Sequence, residues 1–195
     1  MVRKRSASAH RKVLDAALSL FAERGIDASS MDAIAESSGV SKATIYKRWP
    51  DKDALALEAL GELFGIFEEA PVFDSGNLRQ DFVDALVYQP SGDQELKNHV
   101  MPHVMAYAAR HHSFGEQWRE RVMERPQLRL KALLKRAIAQ RQLRSRIDPN
   151  TALAQLLGPM LYWHIFVGKR AAIPAPKDLA AAVVETFWKA YGWNR

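Results

Sequence analysis

Residues 29–49 read Ser29-Ser30-Met31-Asp32-Ala33-Ile34-Ala35-Glu36-Ser37-Ser38-Gly39-Val40-Ser41-Lys42-Ala43-Thr44-Ile45-Tyr46-Lys47-Arg48-Trp49, and the folding of this stretch decides how the rest is read. Met31 to Glu36 is short and apolar-periodic, and Ser37-Ser38-Gly39 turns it into a second short helix. Gly39 can take the left-handed conformation that closes one helix, and Ser41 can cap the next. Helix, tight glycine-containing turn and second helix make the helix-turn-helix pattern. At about 100° per residue, Ile45 and Trp49 share the inward face, while Ala43 and Lys47 point almost directly away from Ile45. Thr44 and Tyr46 lie to either side, and Lys42 and Arg48 flank the apolar stripe on long stems. A face carrying a small residue, a hydroxyl, a phenol and three cations can lie against an acidic groove, and it reads as a DNA recognition helix. An ordinary amphipathic helix with a wet, basic face has the same periodicity, so the surrounding chain decides between them.

Upstream, Ala9 to Arg24 carries Val13, Leu14, Ala17, Leu18, Phe21 and Ala22 on one helical face, and Gly25 ends the helix. Ser29 or Ser30 caps the Met31 helix, Ser29 with Asp32 having capping-box spacing, and the capping serine can also meet a phosphate. Leu14, Leu18, Phe21, Ile34, Ile45 and Trp49 supply the interior of a tri-helical unit. Residues 1–7, with Arg3, Lys4 and Arg5, read as a flexible arm that reaches phosphates or a minor groove, or as a disordered solubilising tail. Downstream, Pro50-Asp51-Lys52-Asp53 starts a fourth helix with Asp51 as N-cap. Lys52 is electrostatically out of place at a helix start unless a phosphate faces it. The helix is expected to run through Leu55, Leu57, Leu60, Leu63, Phe64 and Phe67 towards Pro71.

At this point His10 to Leu60 closely resembles the DNA-binding domain of the TetR family of bacterial transcriptional regulators. The resemblance rests on LFAERGIDASSMDAIAE (20–36), GVSKATIYKRW (39–49) and PDKDAL (50–55). Ala43 stands where glycine is common in the family, Arg48 where histidine is common and Trp49 where phenylalanine is common. The tryptophan keeps an aromatic plug, and the changes at 43 and 48 bear on which operator is read. The resemblance implies an all-α chain: a tri-helical helix-turn-helix domain at 1–50, then a larger helical regulatory domain at 51–195 that binds ligand and dimerises, with 51–68 as the linking helix.

Composition agrees without deciding. The chain has 195 residues, 48% of them hydrophobic, enough to bury a core. No cysteine is present, so disulfides, thiolate metal sites and cysteine nucleophiles are excluded. The formal net charge of +6 suits a polyanionic partner. The most apolar segment, Leu153 to Val167, is too short and too interrupted for a membrane span, and the basic N-terminus lacks the apolar core of a signal peptide. The expectation is a cytoplasmic protein with no membrane partner.

Beyond residue 70 the pattern stays helical: Asn77 to Val87, Gln94 to Arg110 interrupted by Pro102, Ser113 to Ala139 kinked at Pro126, a helix started by Asp148-Pro149, and Asp178 to Ala190 after the loop Ile173-Pro174-Ala175-Pro176. Met101, Met105, Tyr107, Phe114, Trp118, Tyr162, Trp163 and Phe166 can line an apolar ligand cavity, or can be plain core. Leu153, Leu156, Leu157 and Met160, with Val183, Val184, Phe187 and Trp188, carry more apolar surface than a small domain easily hides, which suits a homodimer interface or the core. The family resemblance implies that the last two long helices pair with their twofold mates, and GPMLYWHIFVGKR (158–170) is similar to that region.

His99 and His103 have the i, i+4 spacing of a helical zinc site, with His111 and His112 nearby, but no Glu or Cys pattern accompanies them and no metal or cofactor is expected. The run Arg119 to Arg146 holds ten Arg/Lys against Glu120 and Glu124 and reads as the wet face of an amphipathic helix, or as an acidic-ligand surface. No triad, glycine-rich phosphate loop or carboxylate pair suggests an enzyme.

The expected function is that of a homodimeric, sequence-specific repressor that a small molecule releases from a pseudo-palindromic operator. The alternative is a ligand-independent or metal-responsive DNA-binding regulator. Lys42, Ala43, Thr44 and Lys47 are expected nearest base edges, and Tyr46, Arg48, Lys52 and Ser29 or Ser30 on phosphates.

Overall fold

The structure is a computed structural model that describes residues 2–69, 71–88, 90, 92–167, 176 and 178–193; the side chains of residues 2–6, 125–126 and 164–165 are not described. It contains α1 (Val2–Ala28), α2 (Met31–Ser38), α3 (Lys42–Tyr46), α4 (Lys52–Leu63), α5 (Leu78–Val87), α6 (Gln94–Arg110), α7 (His112–Trp118), α8 (Glu124–Ala139), α9 (Pro149–Tyr162) and α10 (Leu179–Tyr191). Among the described residues there is no strand, only an isolated bridge between Leu143 and Gly192. The all-α expectation holds.

The helices group into two compact units that interleave along the chain. The first comprises Met1–Glu68 and Ser91–Val122, and the second Glu69–Pro90 and Met123–Arg195. In the first, α1 packs against α2, α4 and α6. Leu14, Leu18, Phe21, Ile34, Ile45 and Trp49 are all buried there, as their helical spacing predicts. In the second, Leu78 and Phe82 of α5 meet Leu130, Leu133 and Leu134 of α8, Leu153 and Leu156 of α9, and Val184, Phe187 and Trp188 of α10 in one apolar cluster.

Helix ends follow their capping chemistry. Asp51, Asn77, Asp93 and Asp148 each accept from a backbone N–H three residues on, at 2.7, 3.3, 3.0 and 2.7 Å respectively. Gly25 breaks the regular helix of α1 with φ 85° and ψ 164°.

Four expectations need correction. The backbone of α1 is helical from Val2, where an arm was expected; no glycine or proline interrupts residues 2–24. The fourth helix stops at Leu63 instead of reaching Phe67. Gly65, at φ 64°, lets its own N–H reach the Glu62 carbonyl at 3.1 Å and the Ile66 N–H reach the Gly61 carbonyl at 3.0 Å, which is a Schellman closure. Pro102 does not interrupt α6, which continues through it. The break after α7 is a widened π turn at Arg119–Met123, upstream of Pro126. The expected loop at Ile173-Pro174-Ala175-Pro176 lies outside the described residues apart from Pro176.

Candidate nucleic-acid interface

The turn between α2 and α3 is built from local hydrogen bonds. Ser30 caps α2 by accepting from the Ala33 N–H at 3.1 Å. Gly39 closes it at φ 66°, donating its N–H to the Glu36 carbonyl. The Ser38 hydroxyl donates to the Ala35 carbonyl and accepts from the Val40 N–H, both at 3.3 Å, so the serine staples the turn it stands in. Ser41 then caps α3 by accepting from the Thr44 N–H at 3.3 Å, with the Thr44 hydroxyl 2.8 Å away.

Five residues of α3 are too few to be stable alone, so packing holds them. Ile45 and Trp49 are the anchors, 1% and 3% exposed. The Arg48 and Trp49 N–H groups both donate to the Ile45 carbonyl at 2.9 Å, carrying the turn on to the tryptophan. Trp49 is fixed further by its indole N–H, which donates to Glu58 Oε2 of α4 at 2.6 Å, and by the His10 ring stacked on it at 5.3 Å.

With that face anchored, Lys42, Ala43, Thr44, Tyr46, Lys47 and Arg48 all lie exposed. Lys42 makes an exposed ion pair with Asp32 at 2.7 Å, and the Arg48 guanidinium lies 5.4 Å over the Trp49 ring and 3.5 Å from Glu58. Exposed pairs of this kind contribute little and are easily exchanged for another anion. Backed by a rigid aromatic anchor, such a face can enter a major groove and offer a hydroxyl and lysine donors to base edges.

Of the two candidate capping serines it is Ser30 that caps, and Lys52 has partners within the chain. Ser29 is fully buried and its hydroxyl donates to the Gly25 carbonyl at 2.7 Å, so it repairs the break in α1 and leaves capping to Ser30. The Lys52 ammonium donates to the carbonyls of Ile26 at 2.7 Å and Asp27 at 3.2 Å, satisfying acceptors at the end of α1. It also lies 5.5 Å from the centre of the Tyr107 ring.

Of the residues expected to line a ligand cavity, Tyr107 and Phe114 meet edge to face with ring centres 4.9 Å apart in the first unit. There Phe114 and Trp118 are core, and Tyr107 is bound structurally: its hydroxyl donates to Asp53 at 2.6 Å and its ring stacks on His111 at 3.9 Å. Burial, with the Asp53 carboxylate beside it, pushes the Tyr107 phenol well above its ordinary range. Met101 is half-buried and Met105 exposed. In the second unit Tyr162 and Phe166 are exposed, with ring centres 6.0 Å apart, and Trp163 is half-buried.

The residues expected at a dimer interface divide between core and surface within the protomer. Leu153, Leu156, Val184, Phe187 and Trp188 belong to the protomer's own core, while Leu157, Met160 and Val183 are half-buried. Part of the apolar face that periodicity marks thus closes the protomer. Beside that face the same helices carry an open groove of about 540 Å³ lined by Gln155, Pro159, Ala182, Val183, Thr186, Phe187 and Ala190.

The histidine pair on α6 holds no third ligand among the described residues. His99 is exposed with Nδ1 2.9 Å from its own helix's Glu95 carbonyl, and His103 packs against Gly25. Sequence reasoning missed His10, Glu58 and Glu62, although the i, i+4 spacing of the two glutamates was visible.

An exposed basic helix, presented by a glycine turn and braced by a buried aromatic, defines a helix-turn-helix DNA-binding protein. Residues 13–59 match the bacterial regulatory proteins of the tetR family, and residues 72–187 match the tetracyclin repressor-like C-terminal domain. The chain belongs to the TetR family and is a DNA-binding transcriptional regulator. It is 29% identical over 177 residues to the uncharacterised helix-turn-helix-type regulator YdeS of Bacillus subtilis, covering 91% of this chain and 88% of that one. It is 39% identical over 71 residues to a DNA-binding transcriptional repressor, TetR, of Mycobacteroides abscessus, which is 36% of this chain and 37% of that protein. Among solved structures, the flavonoid-responsive regulator FrrA superposes with a TM-score of 0.70 at 24% identity, over 96% of this chain and 98% of that one. At that identity the likeness shows the fold. Among the described residues no helix is long and apolar enough to cross a membrane.

Proposed function

We propose that the chain is a homodimeric repressor whose α3 reads an operator in the major groove and which a small molecule releases. The observation that carries the reading is the exposed row Lys42, Ala43, Thr44 and Lys47 on a helix anchored by Ile45 and Trp49. Thr44 meets a base or a thymine methyl, the lysines favour guanine acceptors, and Tyr46, Arg48 and the Ser30 end of α2 hold phosphates. The similarity over 71 residues to a protein described as a repressor supports repression over activation.

In this reading residues 1–50 bind DNA and 51–195 regulate. Dimerisation uses the open groove beside the core face of α9 and α10, where Val183, Thr186 and Ala190 are not fully buried. Two recognition helices on a twofold axis imply a pseudo-palindromic operator with half-sites about one helical turn apart. Release requires a ligand that binds more tightly to the spacing of recognition helices that fits DNA poorly.

Capture of genomic fragments by the purified protein, followed by sequencing, tests the proposal. A recovered pseudo-palindrome supports a dimeric specific regulator, and small molecules handled by the adjoining gene products are then tested for release. Recovery of unselected DNA refutes base reading by α3.

A further inference from the structure

Three side chains behind the recognition segment converge between α1 and α4. His10 faces Glu58 and Glu62, which are neighbours on one face of α4. The imidazole Nε2 lies 3.5 Å from Glu58 Oε1 and 3.5 Å from Glu62 Oε1. Hydrogen bonds from nitrogen to oxygen run to about 3.2 Å, so neither contact is a good one. The other ring nitrogen, Nδ1, is buried and has no hydrogen-bond partner among the described residues. Among the described residues this largely buried histidine has no hydrogen bond of ordinary length at Nε2 and none at Nδ1.

The spacing fits another occupant. A tetrahedral ion with bonds of about 2.1 Å separates its ligand atoms by about 3.4 Å. The three ligand atoms all lie within 4.8 Å of one another. The second oxygen of each carboxylate is already held: Glu58 Oε2 accepts from the Trp49 indole at 2.6 Å, and Glu62 Oε2 accepts from Arg11 at 2.9 Å. Those outer contacts turn the two Oε1 atoms towards His10, as second partners do around metal ligands. Stacking on Trp49, 12° from parallel, fixes the ring plane. Arg48 also approaches Glu58 Oε1 at 3.5 Å, but it is half exposed and can swing away.

We infer that His10 Nε2, Glu58 Oε1 and Glu62 Oε1 form a site for a divalent transition-metal ion of the zinc class. One imidazole and two carboxylates suit zinc, cobalt(II), iron(II) or manganese(II), with water completing the shell. A bound ion clasps the start of α1 to α4 beside Trp49, the anchor of the recognition segment. The competing explanation is a His10 ring packed between two carboxylates and Trp49 for structural reasons alone, which needs no metal.

Cobalt(II) titration of the full chain, carrying no histidine tag, decides between them. The site predicts uptake of one equivalent per chain with visible d–d absorption, displacement of that absorption by zinc, and a zinc-dependent rise in the unfolding midpoint. Glu62→Gln and His10→Phe, the latter keeping an aromatic ring on Trp49, each lower the affinity at least about tenfold. The unfolding midpoint without metal, measured for each variant, reports whether it folds, so either variant suffices. No stoichiometric cobalt uptake, or uptake unchanged in a folded variant, overturns the site. The DNA-binding reading stands or falls separately, on metal-free protein.

Discussion

The indole N–H of Trp49 donates a 2.6 Å hydrogen bond to the Glu58 carboxylate, joining the end of the recognition segment to α4. Phenylalanine at this position would fill the same pocket and make no such bond. Trp49→Phe therefore keeps the plug and loses a bond to a charged acceptor, costing about 1–2 kcal/mol. Urea unfolding of the pair of proteins checks it, and equal midpoints would show that the indole acts only as bulk.

Lys52 is an internal fastener of the first unit, with its ammonium on the Ile26 and Asp27 carbonyls. Lys52→Gln is expected to cost about 1 kcal/mol of stability. The slope of log affinity for DNA against log salt stays unchanged. A fall in that slope of about one unit would return Lys52 to the phosphate contacts.

Asp81 is buried in the second unit, where it accepts from the Ser75 N–H at 2.8 Å and the Ser75 hydroxyl at 2.6 Å and pairs with Arg136. Burial raises its carboxyl pKa, but the Ser75 hydrogen bonds and Arg136 outweigh this and hold it below the ordinary value of 3.8. A depressed folded pKa means that the stabilisation is fully present above the unfolded pKa and lost as pH falls through the folded one. Wild-type stability should therefore decline below about pH 4 partly through this group. Asp81→Ala leaves Arg136 with Asp74 and the Phe73 carbonyl but removes the buried acceptor of the Ser75 bonds, costs about 1–3 kcal/mol at pH 7, and flattens the acid limb of the stability profile. Chemical unfolding at a series of pH values reads both effects.

Gly115 lets α7 approach α6 closely: a Cβ there would lie 2.6 Å from the Ala108 carbonyl oxygen. Gly115→Ala must push the backbones apart and is expected to destabilise by about 1–3 kcal/mol, despite alanine's higher helix propensity. A variant as stable as the parent, by thermal unfolding, would show that the α6–α7 junction yields at no cost.

Much of the fold was legible because its signals are local. Ser41, Gly39, Asp51 and Asp148 announce their helix ends through chemistry that reaches only three or four residues. The inward positions of Ile45 and Trp49 follow from helical spacing alone. What was not legible depends on where separate segments meet. Lys52 looks misplaced at a helix start until the end of α1 is seen beside it, and Ser29 looks like a cap until it turns inward to Gly25. Leu153 and Phe187 read equally as interface or core, because periodicity reports an apolar face and not what covers it. His10 gave no signal of its own: its partners lie about 50 residues away, on α4.

The central claim is that α3 reads bases, and Thr44 tests it most directly. Affinities of the wild type and Thr44→Ala are measured against a panel of operators carrying single base-pair changes, at one fixed salt concentration. The account predicts that discrimination relaxes at one or two symmetry-related positions by about 1–3 kcal/mol and is unchanged elsewhere. Uniform weakening across the whole panel would contradict it, and would leave α3 a phosphate-binding surface only.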